Sequence, residues 1–178
     1  MRIIAGKHKG KKLKSFQGDS IRPTADRAKE ALFNILSTSI TDCDFLDLCA
    51  GTGAIGLEAY SRGAKSITFV DSSLESMKII KFNALSVGLS GDFVLDNAVN
   101  FLMKTNKKFD LIFYDPPYAD NDIAKVLNVI KQRSLLTQGG RLIYERPSDK
   151  DKVEVLGFNL FDSRKYGIAV FDFYKDEL

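Results

Sequence analysis

The sequence predicts an α/β protein built on a parallel sheet, preceded by a basic hairpin and a helix. Two observations carry this. From residue 44 onward, short apolar runs of strand length alternate with stretches of helical periodicity. A glycine-rich turn, Gly51-Thr52-Gly53-Ala54-Ile55-Gly56, stands between the first run and the first helical stretch. The chain has 178 residues, 44% of them apolar, enough for one well-buried core.

The elements follow in order. Arg2–Ile4 and Lys11–Leu13 read as short strands around Lys7-His8-Lys9-Gly10, and Gly18-Asp19-Ser20 as a linker. Pro23-Thr24 opens a helix with Thr24 as its N-cap. Ala28, Ala31, Leu32, Ile35 and Leu36 form its buried face, with Arg27 and Lys29 off that face. Phe45–Leu48 is a buried strand, Ala54–Ser61 a helix, Ser66–Val70 a strand and Leu74–Val87 a helix. Phe93–Leu95, Phe109–Tyr114 and Gly140–Tyr144 are further strands. Asn97–Met103 and Asn121–Arg133 are the intervening helices, and residues 153–175 hold two or three more strands. The expected organisation is an extension over 1–40 and a main domain over 41–178.

Composition excludes several classes. No apolar run approaches the ~18–20 residues of a membrane span. Met1-Arg2 leads into two isoleucines and then glycine and lysine, without the apolar core of a secretory signal, so a cytoplasmic location is expected. Two cysteines, Cys43 and Cys49, and the single His8 make neither a disulfide framework nor a structural zinc site. A monomer without metal is expected.

The net charge of +3 hides an asymmetry. Residues 1–29 carry nine Lys/Arg and two acids, a balance of +7, and the remainder a balance of −4. A basic arm on a mildly acidic body suggests a polyanion. Gly6 and Gly10 suggest a tight hairpin presenting its lysines together. Arg2, Lys7, Lys9, Lys11, Lys12 and Arg27 are therefore expected to contact nucleic-acid phosphates.

The glycine turn is a cofactor site in the right context: a strand before it, a helix after it, and Asp71 lying 20 residues beyond Gly51. Ala50, Gly51, Thr52 and Gly53 would let the backbone approach a ligand. Asp47 distinguishes the two cofactors that use such turns. A carboxylate at that strand end repels a dinucleotide pyrophosphate and attracts the ammonium and sulfonium of S-adenosylmethionine. Asp71, followed by Ser72, would take the ribose hydroxyls. Asn97-Ala98, or Asp96 in their stead, would meet the adenine edge.

A second site follows the fourth strand of the sheet: Asp115-Pro116-Pro117-Tyr118. Two prolines stiffen the loop and remove two N–H donors, leaving acceptors. Such a loop suits the exocyclic amine of a nucleobase. Asp115 and the Pro116 carbonyl would accept its hydrogens, and Tyr118 would stack on the ring, worth ~1–3 kcal/mol. Cys49 lies in the cofactor loop and reads as a small core residue, not a nucleophile for carbon methylation.

With both sites in hand, the chain resembles the RsmD family of small-subunit ribosomal RNA guanine-N2 methyltransferases over nearly its whole length. The resemblance rests on Arg2–Gly6, Gly10–Leu13, Ile21–Arg27, Glu30–Asn34, the Asp47–Gly56 loop with Leu57-Glu58-Ala59, and Asp115–Tyr118. It departs at Cys49 and Thr52, where Phe and Ser are more usual, at Tyr60 for Leu and at Asp71 for Glu; none removes a needed group. The resemblance implies a Rossmann-like methyltransferase fold, a seven-stranded, mostly parallel sheet with helices on both faces. It implies S-adenosylmethionine as cofactor, with Arg22-Pro23-Thr24 lying over it. It also implies methylation of a guanine N2 in 16S RNA, within an assembled or assembling 30S particle. Three other readings stay open at this point: a DNA or RNA adenine-N6 methyltransferase, an NAD-dependent oxidoreductase, and a non-catalytic RNA-binding assembly factor.

Overall fold

The computed structural model describes residues 1–16, 23–117 and 123–177, and of residues 23–25 the backbone alone. The strands are β1 (Asp44–Leu48), β2 (Ser66–Asp71), β3 (Asp92–Leu95), β4 (Phe109–Tyr114), β5 (Leu136–Pro147), β6 (Phe158–Tyr166) and β7 (Ala169–Asp176). The helices are α1 (Pro23–Leu36), α2 (Ala54–Ser61), α3 (Leu74–Ser86), α4 (Ala98–Lys104) and α5 (Ile123–Gln132). One seven-stranded sheet runs in the order β3-β2-β1-β4-β5-β7-β6. Strands β1 to β5 are parallel, and β7 pairs antiparallel with both β5 and β6.

Alternation along the strands divides the core into two layers. Phe45, Phe69, Leu111, Phe113 and Phe171 face one side and pack with α1, α2 and α3. Leu46, Leu48, Ile112, Leu142 and Tyr144 face the other and pack with α4 and α5. Ile3 and Leu13 of the hairpin and Leu32, Phe33 and Leu36 of α1 belong to the first layer, so the N-terminal extension shares the sheet's own core.

Several elements differ from the sequence reading. The hairpin has a single bridge, Arg2 opposite Lys12, in place of two strands. The N–H groups of Ile4 and Ala5 donate to the Glu58 carboxylate of α2, at 2.8 and 3.0 Å, so helix α2 captures them. Thr24 lies inside α1, which begins at Pro23, and does not cap it. Lys29 is 6% exposed, against the expectation of a surface residue. Its Nζ donates to the Arg2 carbonyl at 2.6 Å and pairs with Glu58 at 3.3 Å. Strand β5 runs three residues past Tyr144, because β7 pairs Glu145, Arg146 and Pro147 with Phe171, Val170 and Ala169. A buried ion pair, Arg146 to Asp172 at 2.5 Å, ties the two strands there.

Candidate active site

The chain builds β1, β2 and β3 outward on one side of the sheet and then returns to β4 and β5 on the other. The reversal leaves a crevice beyond the carboxyl ends of β1 and β4, where doubly wound sheets bind ligands. A cavity of about 790 Å³ opens there. One end is walled by Gly51, Asp71, Ser72, Asn97 and Ala98, the other by Asp115, Pro116 and Pro117. The structure thus brings the glycine turn and the proline turn to a single cavity.

The glycine turn is curled by three left-handed backbones in five residues: Cys49 (φ 66°), Gly51 (φ 56°) and Gly53 (φ 76°). Glycine adopts that region freely. Its partners hold the turn in place. The Gly51 N–H donates to Asp71 Oδ2 at 2.8 Å, and the Ala50 N–H to the Val70 carbonyl at 3.0 Å. At Gly56 the constraint is space, since a Cβ would sit 2.4 Å from the Phe69 ring.

Asp47 corrects the sequence reading. It is 1% exposed and lies off the cavity wall. Its position in β1 points it toward α2, where its Oδ2 accepts the Gly56 N–H at 2.8 Å. Burial lifts its carboxyl to about 8. Asp47 therefore occupies the N–H that a pyrophosphate would use at the start of α2. Asp47 thus bears on a pyrophosphate by holding one N–H of α2, and not as an acid facing the ligand.

Ala50, Thr52 and Gly53 also lie off the wall. Gly53 caps α2. Thr52 is buried, its Oγ1 donating to Met1 Sδ at 3.2 Å and its carbonyl accepting from Asn83 Nδ2 at 3.0 Å. The same Asn83 amide also bonds the backbone of Lys14, so one side chain of α3 joins the hairpin to the glycine turn.

Asp71 is on the wall. Its two oxygens accept the N–H groups of Gly51 and Ser73, both at 2.8 Å. An ionised carboxylate has about four acceptor positions, so capacity for ribose hydroxyls remains. Asn97 and Asp96 both reach the cavity. The Asn97 side chain caps α4 by accepting the Asn100 N–H at 2.8 Å. Asp96 accepts from Lys104 Nζ at 2.8 Å, and that bond holds its carboxyl below the usual range.

At the opposite end, the Asp115 N–H donates to the Leu48 carbonyl at 3.4 Å, extending β4 toward β1. Asp115 presents its surface to the cavity, whose walls strip water from it and lift its carboxyl to about 7. Glu145, two residues before the end of β5, faces the same cavity, and burial followed by the charge of Asp115 lifts it to about 8. Glu145 and Lys125, also on the wall, were missed in the sequence. The available signal for Glu145 was its position just past an apolar strand, at the carboxyl end of a parallel sheet. Phe16 is a third such residue, visible only once the hairpin is docked. Arg22 and Tyr118 lie outside the described residues, and the side chains of Pro23 and Thr24 likewise.

Arg2, Lys7, Lys9, Lys11, Lys12 and Arg27 are all exposed. Arg2 pairs with Asp26 at 3.7 Å across the surface. The hairpin is seated on α2 by Lys7 N–H to the Ser61 carbonyl at 2.7 Å and His8 N–H to Ser61 Oγ at 2.9 Å. From this arm the chain reaches the cavity edge at Phe16. Among the described residues no helix is long and apolar enough to cross a membrane, and no group of three or more His, Cys, Asp or Glu is placed to hold a metal ion.

Known proteins share this arrangement. Ribosomal RNA small subunit methyltransferase D of Haemophilus influenzae is 30% identical over 181 residues, covering 99% of this chain and 94% of that protein. The solved structure of Escherichia coli yhhF matches with a TM-score of 0.89 at 26% identity, covering 100% of this chain and 98% of that one. The 16S rRNA N2 methyltransferase RsmC of T. thermophilus, solved with AdoMet and guanosine, shares the fold at a TM-score of 0.69 and 20% identity, covering 91% of this chain and 45% of that one. Residues 1–175 match the family described as Conserved hypothetical protein 95, and the chain belongs to that family, a methyltransferase with the S-adenosylmethionine-dependent fold.

Proposed function

We propose that this protein methylates the exocyclic N2 amine of a guanine in small-subunit ribosomal RNA, on a 30S particle or its precursor. The observation that carries the reading is the single cavity shared by Gly51 and Asp71 at one end and Asp115-Pro116 at the other. The name of the Haemophilus influenzae relative supports the RNA target.

When bound, S-adenosylmethionine supplies an electrophilic methyl group on a cationic sulfur. Its fit is supported by a cavity of about 790 Å³ and by the spare acceptor capacity of Asp71. Asp71 with Ser72 would hold the ribose, and Ala50 to Gly53 would shape the turn beside the amino-acid moiety. Asp96 would accept from the adenine amine while the first-turn N–H of Ala98, without an intrahelical partner, donates to the ring. Arg22, Pro23 and Thr24 would lie over the cofactor.

Asp115 and the Pro116 carbonyl accept the two hydrogens of the target amine. An aromatic amine is a poor nucleophile because its lone pair is delocalised into the ring. Gripping both hydrogens favours the pyramidal nitrogen, and the carboxylate stabilises the positive charge that builds there. Pro117 stiffens the turn, and Tyr118 would stack on the base. The N–C bond forms as the S–C bond breaks, and the nitrogen then gives one proton to the Asp115 carboxylate, which passes it to solvent. Positioning supplies much of the rate.

Only an ionised carboxyl gives the amine a counter-charge and two free acceptor oxygens, and desolvation lifts Asp115 and Glu145 to about 7 and about 8. Below those values they are protonated, so kcat/KM is expected to climb from pH 6 and level off above about pH 9. Asp115→Asn should flatten the lower limb. A rate independent of pH between 6 and 9 would exclude the carboxylate grip.

The exposed arm would hold RNA through Arg2, Lys7, Lys9, Lys11, Lys12 and Arg27. Changing Lys9, Lys11 and Lys12 together to Gln is expected to weaken RNA binding and lower the salt slope of log K by roughly 0.7–0.9 per lost phosphate contact. An unchanged slope would return the arm to plain solvated surface. The reading includes a monomer acting in the cytoplasm without a metal, and light scattering tests the first of these.

The overall test is methyl transfer from labelled cofactor to small subunits from cells lacking the protein, followed by mass mapping of the RNA. N2-methylguanosine at one site is the expected product. Label confined to adenine, or to duplex DNA, would overturn the assignment.

A further inference from the structure

We propose that the Glu145 carboxylate reads the N1–H of the target base, and so selects guanine over bases whose ring nitrogen is bare. The inference rests on the function proposed above and names a specificity-determining residue for it.

The placement comes from strand register. Parallel strands β4 and β5 set Tyr114 opposite Tyr144, with rings stacked 5.8 Å apart. The next residue in each case is an acid, Asp115 just past β4 and Glu145 within β5. Adjacent strands lie about 4.8 Å apart, so the two acids stand side by side at the sheet's carboxyl edge. Both line the cavity. The antiparallel pairing of Glu145 with Phe171 of β7 keeps β5 extended at this point and steadies the second acid.

The chemistry of the two bases differs at one atom. Guanine presents the N2 amine beside an N1–H, two adjacent donors. Adenine presents its N6 amine beside a bare N1, a donor next to an acceptor. One acid suffices to grip an amine. A second acid beside it, once ionised, matches guanine alone, because against a bare nitrogen it sets lone pair against lone pair. Sites built to hydrogen-bond an N–H reject analogues lacking it strongly, because a buried polar group is left unpaired. Desolvation lifts both carboxyls, and the charge of Asp115 lifts Glu145 further. Two N–H donors arriving together are what allow both to ionise.

The test uses 2-aminopurine, which keeps an amine at C2 and has a bare N1. RNA carrying guanine or 2-aminopurine at the mapped target position is compared with wild type and Glu145→Gln. Wild type should prefer guanine by about 100-fold or more in kcat/KM. The side-chain amide that Glu145→Gln introduces can donate to a bare nitrogen, so the variant should shrink that preference at least tenfold. Loss of the guanine O6 affects both enzymes alike and cancels in the ratio. Equilibrium binding, read from 2-aminopurine fluorescence with S-adenosylhomocysteine present, should show the same loss of preference. A guanine preference equal in wild type and folded Glu145→Gln overturns the inference and leaves the proposed function intact. Failure of wild type to methylate guanine RNA overturns the function itself. Should Glu145→Gln not fold, Glu145→Asp keeps the charge one methylene shorter. It should lower guanine turnover while still rejecting 2-aminopurine, and acceptance of 2-aminopurine by it would likewise overturn the inference.

Discussion

Asp115→Ala is expected to lower kcat for methyl transfer by about 100-fold or more, with the affinity for S-adenosylmethionine changed no more than about threefold. The carboxylate sits at the β4 end of the cavity that Asp71 and Asn97 also line, where the cofactor would sit. Its loss leaves the target amine held by the Pro116 carbonyl alone, so the lone pair stays delocalised into the ring and the charge growing on nitrogen has no counter-charge. Asp115→Asn keeps one oxygen acceptor and should fall between wild type and Ala. Single-turnover kinetics with isothermal titration of the cofactor separate the two effects. Turnover within threefold of wild type for Asp115→Ala would remove the acid from the mechanism.

Glu58→Ala is expected to destabilise the protein by about 3–5 kcal/mol. Glu58 is fully buried and carries four partners: the N–H groups of Ile4 and Ala5, Arg62 Nε at 2.8 Å and Lys29 Nζ at 3.3 Å. Removing it leaves the buried Lys29 ammonium without its carboxylate and two backbone donors unsatisfied. Burial already pushes the Lys29 pKa down, and the charge of Glu58 opposes that shift. For a chain of this size the midpoint of thermal unfolding should drop by at least about 6 °C. The basic arm should also leave α2, weakening RNA binding beyond what the lost stability explains. The double variant Lys29→Met with Glu58→Gln removes both charges together and should recover part of the loss, because no unpaired charge stays buried. Equal unfolding midpoints for wild type and Glu58→Ala would show that the arm is held without Glu58, by Ile3 and Leu13 and the Ser61 hydrogen bonds.

The edge strand β6 shows how a basic segment can serve the sheet itself. Arg164-Lys165-Tyr166-Gly167 lies at the strand's end, where Arg164 pairs with Asp162 at 3.0 Å and the Tyr166 ring packs on Phe171 at 5.9 Å. Charged side chains on an edge strand discourage pairing with other chains.

What the amino-acid sequence determined by itself was the alternation of strands and helices and the two turns that meet at the cavity. Glycine and proline make those turns readable, since each restricts or frees its own backbone regardless of what surrounds it. The boundaries of α2 and β4 fall where local periodicity sets them. Tertiary structure decided the tasks of individual acids. Asp47, Asp71, Asp115 and Glu145 share a side-chain chemistry and all lie near strand ends, yet Asp47 turns into the protein to hold α2 while the other three face the cavity. Which way a side chain points at a strand end depends on register with neighbouring strands, and β5 reaches Glu145 only because β7, 24 residues further on, pairs with it. Lys29 and Glu58 make the same point in the core. Each looks like a solvated helix residue until the hairpin docks, because burial of a charge is set by partners distant in the chain and leaves no mark on local periodicity.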